Sequence, residues 1–190
     1  VRILMGAQNC GFGPASVLVA VSRLLPGHQR VFAGDGVAAA FARRNAAAFD
    51  SVHELAGPPH GNGADPLEPL LEGSDQVVSV MDADLVLRAF VARRPVVLVD
   101  CLFGFWQHRH SLARIRELCA TVPRTTLPAV RRHLARLSPH EHVLAAHLLA
   151  DHSVVQNFPG VPRRAAEFTD AGADHAIHLT GPLVDLEGLR

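Results

Sequence analysis

Short apolar runs rich in β-branched residues, recurring between helical patterns, constrain this chain more than any other feature of its sequence. The clearest is Pro95-Val96-Val97-Leu98-Val99-Asp100, apolar throughout between its Pro and its Asp. A half-exposed strand would alternate apolar and polar residues, so a continuous run calls for cover on both faces. Arg2 to Ala7, Gln29 to Ala33 and Gln76 to Met81 read the same way. Phe49 to Leu55 is a weaker strand, and Val154 to Gln156 and Ala176 to Leu179 are two short ones. Helical patterns fall between them at Pro14 to Leu25, Val37 to Arg44, Leu67 to Leu71, Asp82 to Arg94, Ser111 to Ala120 and Ala129 to Leu137. Ser138-Pro139-His140-Glu141 is a capping box that opens a helix to Ala150. Gly57 to Asn62 is too broken by Pro and Gly for an element and reads as a loop. The β-α alternation predicts an α/β fold: a Rossmann-like, doubly wound parallel sheet of about seven strands with helices on both faces.

The 190 residues are expected to form a single domain with a real core. Acidic and basic residues balance at 18 each, which argues against nucleic acid as a partner, since such a binder carries a basic face. Every basic residue other than His is Arg. The absence of Lys removes Schiff-base chemistry and the lysine of a P-loop. No apolar run approaches the roughly 18 residues that span a membrane, so no membrane partner is expected. Cys10, Cys101 and Cys119 are odd in number and far apart, which suits reduced thiols and a cytoplasmic location better than a disulfide frame.

In a doubly wound sheet, ligands bind beyond the carboxyl ends of the strands, where the strand order reverses. With the order 3-2-1-4-5 that crevice lies between the first and fourth strands. Three loops are expected to line it, starting at Asn9, at Asp82 and at Asp100. The first loop offers Asn9, Gly11, Phe12, Gly13 and Ser16 as substrate-binding candidates. Its glycines admit a ligand close to the backbone, and the helix behind it presents free amides. Ser16 stands where a dinucleotide fingerprint needs its third Gly. Asp35 ends the second strand, where it either holds a ribose or caps a helix. The third loop carries Phe103, Phe105 and the only Trp, Trp106, as a candidate aromatic wall for a flat or sugar-like ligand. They serve equally as cover for the sheet.

Asp100, at a strand end, is a candidate general base with a raised pKa, or a structural cap. Asp82-Ala83-Asp84 has the spacing of an Asp-x-Asp metal motif, and it also reads as a helix cap followed by a first-turn acid. The pairs His108-x-His110 and His140-x-His142 lack the companion ligands of a metal site, so neither metal nor cofactor is expected. No Gly-x-Ser-x-Gly elbow is present. Cys10 and Cys101 fall on crevice loops without an evident base.

Taken in order, several of these segments resemble the amino-terminal half of a GT-B glycosyltransferase. They are Gly11-Phe12-Gly13-Pro14-Ala15-Ser16, the Pro95–Asp100 strand with its aromatic loop, Val154 to Gly160, and His178-Leu179-Thr180-Gly181-Pro182-Leu183. The resemblance spans the chain in element order. It implies an acceptor-binding domain, with 181–190 as the start of an interdomain linker. A nucleotide-sugar donor would be held by a second domain beyond this chain, which ends eight residues after Pro182. A small-molecule acceptor would be deprotonated in the cleft. More narrowly, the sequence is similar to natural-product glycosyltransferases of GC-rich bacteria, cytosylglucuronate synthases of nucleoside-antibiotic pathways above all. Many GT-B enzymes carry a catalytic His in the loop after the first strand. Here Pro14, Ala15 and Ser16 follow Gly13, so the base is sought among Asp100, Asp82 and His108, in that order. Three other readings stay open: a nicotinamide- or flavin-dependent enzyme using Gly11, Gly13 and Asp35; a metal-dependent GT-A transferase using Asp82 and Asp84; and a non-catalytic small-molecule binding module.

Overall fold

The computed structural model describes residues 1–55, 65–172 and 177–185. Seven strands form one parallel sheet: β1 (Arg2–Ala7), β2 (Gln29–Gly34), β3 (Ser51–Glu54), β4 (Gln76–Val80), β5 (Val96–Asp100), β6 (His152–Gln156) and β7 (Ile177–Thr180), in the order β3-β2-β1-β4-β5-β6-β7. The expected sheet is therefore present, and the order reverses between β1 and β4. Among the described residues eight α-helices connect the strands: α1 (Phe12–Arg23), α2 (Gly36–Arg44), α3 (Glu68–Glu72), α4 (Ala83–Val91), α5 (Leu112–Ala120), α6 (Leu127–His133), α7 (Pro139–Leu149) and α8 (Val161–Asp170). The expected loop at Gly57 to Asn62 and the first residue of the last expected strand, Ala176, lie outside the described residues, as do 186–190 of the expected linker.

Alternation along the strands divides the core. Ile3, Met5 and Ala7 of β1 join Val78 and Val80 of β4 under α1 and α2. Leu4, Val77 and Leu98 point the other way, into a core with Leu71 of α3, Leu85 and Ala89 of α4 and Ala146 of α7. Burial on both faces explains why these strands carry apolar residues at successive positions. The helix expected from Asp82 to Arg94 ends three residues early, at Val91. Arg93 then turns into the left-handed region at φ 55°, and Arg94 N–H bonds back to the Ala89 carbonyl. The helix expected at Ala129 begins at Leu127, because Thr126 caps it by accepting the Ala129 N–H at 3.3 Å.

Helix α8 escaped the sequence reading. Its pattern offers few large apolar residues, and the helix is held by two of them, Val161 and Phe168, both buried. Phe168 meets Phe103 at 5.1 Å between ring centroids, and Phe103 meets His147 at 4.7 Å. Phe103 is completely buried, so it joins the core instead of forming a ligand-facing wall. Phe103→Ala removes the ring on which α7 and α8 converge. It is expected to cost about 3–5 kcal/mol, read as a lowered urea midpoint.

Candidate functional site

A groove of about 1050 Å³ opens at the carboxyl ends of β1, β2 and β4, where the strand order reverses. Its walls include Gln8 and Asn9 after β1, Gly34 and Asp35 after β2, and Asp82 and Asp84 after β4. Two of the three expected loops therefore contribute. The aromatic loop after β5 does not line this groove.

The end of β2 is built differently from the sequence expectation. Asp35 occupies the cap position of α2, yet its side chain makes no cap bond. Asn9 reaches across from β1 and accepts the Val37 N–H at 2.9 Å instead. Gly36 makes this possible: its φ is +50°, and the Asn9 amide occupies the space a Cβ would need. Asn9 is thus engaged in structure, while the Asp35 carboxylate is left facing the groove.

At the end of β4, Met81 is buried and sits at φ 59°, a conformation that costs a non-glycine residue energy. This elbow turns the chain from strand to helix and sets Asp82 at the cap of α4, where its Oδ1 accepts the Leu85 N–H at 3.1 Å. Burial pushes the Asp82 pKa up to about 6, and the charges of Asp84 and Asp35 push the same way. Asp84 is occupied elsewhere: Arg88 Nε donates to it at 2.7 Å and Arg131 Nη2 at 2.5 Å, and Arg88 also pairs with Asp65. Both oxygens of the Asp84 carboxylate are thus held by arginine. Among the described residues no cluster of three metal-ligating side chains occurs.

Asp100, first among the candidate bases, is wholly buried. Leu102 N–H donates to its Oδ1 at 2.6 Å, Trp106 Nε1 donates to Oδ2 at 2.5 Å, and His147 Nε2 lies 2.8 Å from the same oxygen. His147 Nδ1 lies 2.9 Å from Ser153 Oγ. These are the side chains of a hydrolytic triad, but all three residues are enclosed in the core and bind the aromatic loop to α7 and β6. Trp106 is partly buried, with its ring 5.2 Å from that of His140 and its carbonyl accepting from Arg164 Nη2 at 2.5 Å. Phe105 is 62% exposed. His108 faces the His110 carbonyl at 2.8 Å and Glu167 at 3.8 Å, tying the loop to α8.

The remaining candidates stand at the start of α1. Gly11 is its cap at φ +133°, Phe12 is exposed and packs against Phe41, Gly13 is exposed, and Ser16 Oγ donates to the Gly13 carbonyl at 2.8 Å. Burial pushes the Cys101 thiol up to about 11 and Cys119 up to about 12, so both stay protonated at neutral pH. No helix is long and apolar enough to cross a membrane among the described residues.

No family model matches the sequence, and no curated protein matches it. Solved structures do. Phytolacca americana UGT2 complexed with UDP-2fluoro-glucose and pterostilbene superposes with a TM-score of 0.57 at 13% identity, over 100% of this chain and 56% of that one. The apo UGT2 structure gives a TM-score of 0.55 at 13% identity, over 97% of this chain and 53% of that one. The chain thus spans about half the length of the structures it matches. At this identity the likeness is one of fold.

Proposed function

We propose that this chain is the acceptor-binding domain of a glycosyltransferase, and that the groove between β1, β2 and β4 takes a small-molecule acceptor. A nucleotide-sugar donor would be held by a second domain, and the sugar would pass to the acceptor at the mouth of the groove. The observation that carries the reading is Asp82: a carboxylate with its pKa raised to about 6, on a strained elbow at the point of strand-order reversal, facing a groove of about 1050 Å³. A base poised near neutrality suits removal of a proton from an attacking hydroxyl or amine as the nucleotide leaves. The fold shared with the UGT2 structures agrees with it. Asp82 thereby takes the place first given to Asp100, whose carboxylate is enclosed. The aromatic loop, pinned through Trp106 with Phe105 outward, stands outside this groove. The narrower resemblance to cytosylglucuronate synthases would make the acceptor a cytosine-type base.

A titration of the isotopically labelled chain, followed by amide chemical shifts, tests the reading. Cytosine and a panel of aromatic alcohols and amines are expected to move Gln8, Asn9, Gly34, Asp35 and Asp82 to Leu85. A panel that moves none of them sinks the proposal. NADPH bound in the micromolar range and released by Asp35→Asn would replace it with the dinucleotide reading.

A further inference from the structure

We infer that the acceptor taken by this groove carries a protonated amine, and that Asp35 is the residue that holds it. The inference rests on the groove being the acceptor site proposed above, and it sets an amine in place of the cytosine-type base, which carries no ammonium at neutral pH. Along the groove walls six carboxylates face three guanidiniums. Arg88 is shared between Asp65 and Asp84, and Arg131 is turned to Asp84. Asp35 has been relieved of its cap by Asn9, and its carboxylate has no hydrogen-bond or ion-pair partner among the described residues. It is partly withdrawn from solvent and lies close enough to Asp82 to act on its charge. Such a carboxylate, in a groove with an excess of negative charge, attracts a cation.

The form of that cation follows from the surroundings. A divalent metal would need further oxygen ligands, and the nearest pair of carboxylates has Asp84 committed to arginine. An ammonium needs one carboxylate and brings three donors. Leu55, Leu67 and Leu85 supply an apolar wall for the body that bears it. Asp82, which caps α4 through one oxygen, pairs with no arginine among the described residues of the groove and is left to meet the attacking group, so the two carboxylates divide the work: Asp35 for position and specificity, Asp82 for the proton.

Tryptamine and tryptophol differ only in ammonium against hydroxyl, and they provide the test. Titrated at pH 7.5 into the labelled chain, tryptamine is expected to shift Gly34 to Val37 and to bind ~10-fold more tightly than tryptophol. Asp35→Asn, which breaks no internal bond and should leave the spectrum otherwise unchanged, is expected to bring the two affinities within ~2-fold. Asp82→Asn should keep the preference. Equal affinities in the unaltered chain overturn the amine inference and leave the acceptor groove standing. Preference retained in Asp35→Asn overturns the role of Asp35. Failure of both ligands to move any groove amide up to millimolar concentration removes the acceptor reading itself.

Discussion

On the glycosyltransferase reading proposed above, Asp82→Asn is expected to lower turnover by roughly 10²–10⁴-fold in an assay that supplies a donor-binding domain, while leaving the chain more stable. Both effects come from one cause. The carboxylate is held where its charge is unwelcome, so its pKa rises from 3.8 to about 6. A base with that value works when deprotonated, so turnover should climb as pH rises through about 6 and lose this limb in the variant. For stability the sign is reversed. A carboxyl whose folded pKa exceeds its unfolded value binds its proton more tightly in the fold. Its contribution is most favourable at low pH and is lost as pH rises from 3.8 through about 6. Asn keeps the cap acceptor for Leu85 without the charge. It should therefore gain roughly 1–3 kcal/mol at pH 8 and almost nothing at pH 3.5. Denaturant melts at the two pH values check this; a destabilised variant at pH 8 would mean that Asp82 is a structural cap only.

Glu141→Ala carries an expected loss of stability as large as that of Phe103→Ala, with a pH dependence of its own. The Glu141 side chain is almost fully buried and accepts from four groups: Arg109 N–H and His110 N–H at 2.8 and 2.7 Å, His110 Nδ1 at 2.9 Å and Ser138 N–H at 2.8 Å. Burial alone would raise its pKa, but the bonds from His110, Ser138 and Arg109 outweigh it and hold the carboxyl well below the usual range. Removing the side chain strands three backbone donors and frees the segment between the aromatic loop and α5. The expected cost is about 3–5 kcal/mol. Because the folded pKa is depressed, this contribution is present above the unfolded value of about 4.5 and fades as pH falls below it. Unfolding free energy from pH 7 to pH 3 should therefore drop in the unaltered chain and fall less in Glu141→Gln. Parallel pH profiles for the two would refute the assignment.

Glu141 also shows how far local sequence reaches. Ser138-Pro139-His140-Glu141 announces a capping box, and the structure contains it, with Ser138 and Glu141 exchanging backbone and side-chain bonds. Nothing local says that the same carboxylate also seizes a loop 31 residues earlier. Asp35 and Asn9 make the same point. Asp35 before Gly36 has the form of a cap, and only the pairing of β1 with β2 puts Asn9 near enough to take the bond instead. Asp100 was legible as a buried strand end. Its partner His147, and Ser153 behind that imidazole, were not, because α7 and β6 lie 47 and 53 positions further along the chain.

The sequence by itself determined the sheet, its parallel sense and the point where the strand order reverses and a groove opens, because those follow from short-range rules: continuous apolar runs need two covered faces, and β-α alternation needs right-handed crossovers. It also named Asp100 and Asp82 as strand-end acids without saying which of them is enclosed. Only the tertiary structure decided which carboxylate is spent on structure and which is left in a groove. That choice depends on which N–H groups and guanidiniums long-range packing brings within 3 Å or so, and no spacing along a chain encodes such distances.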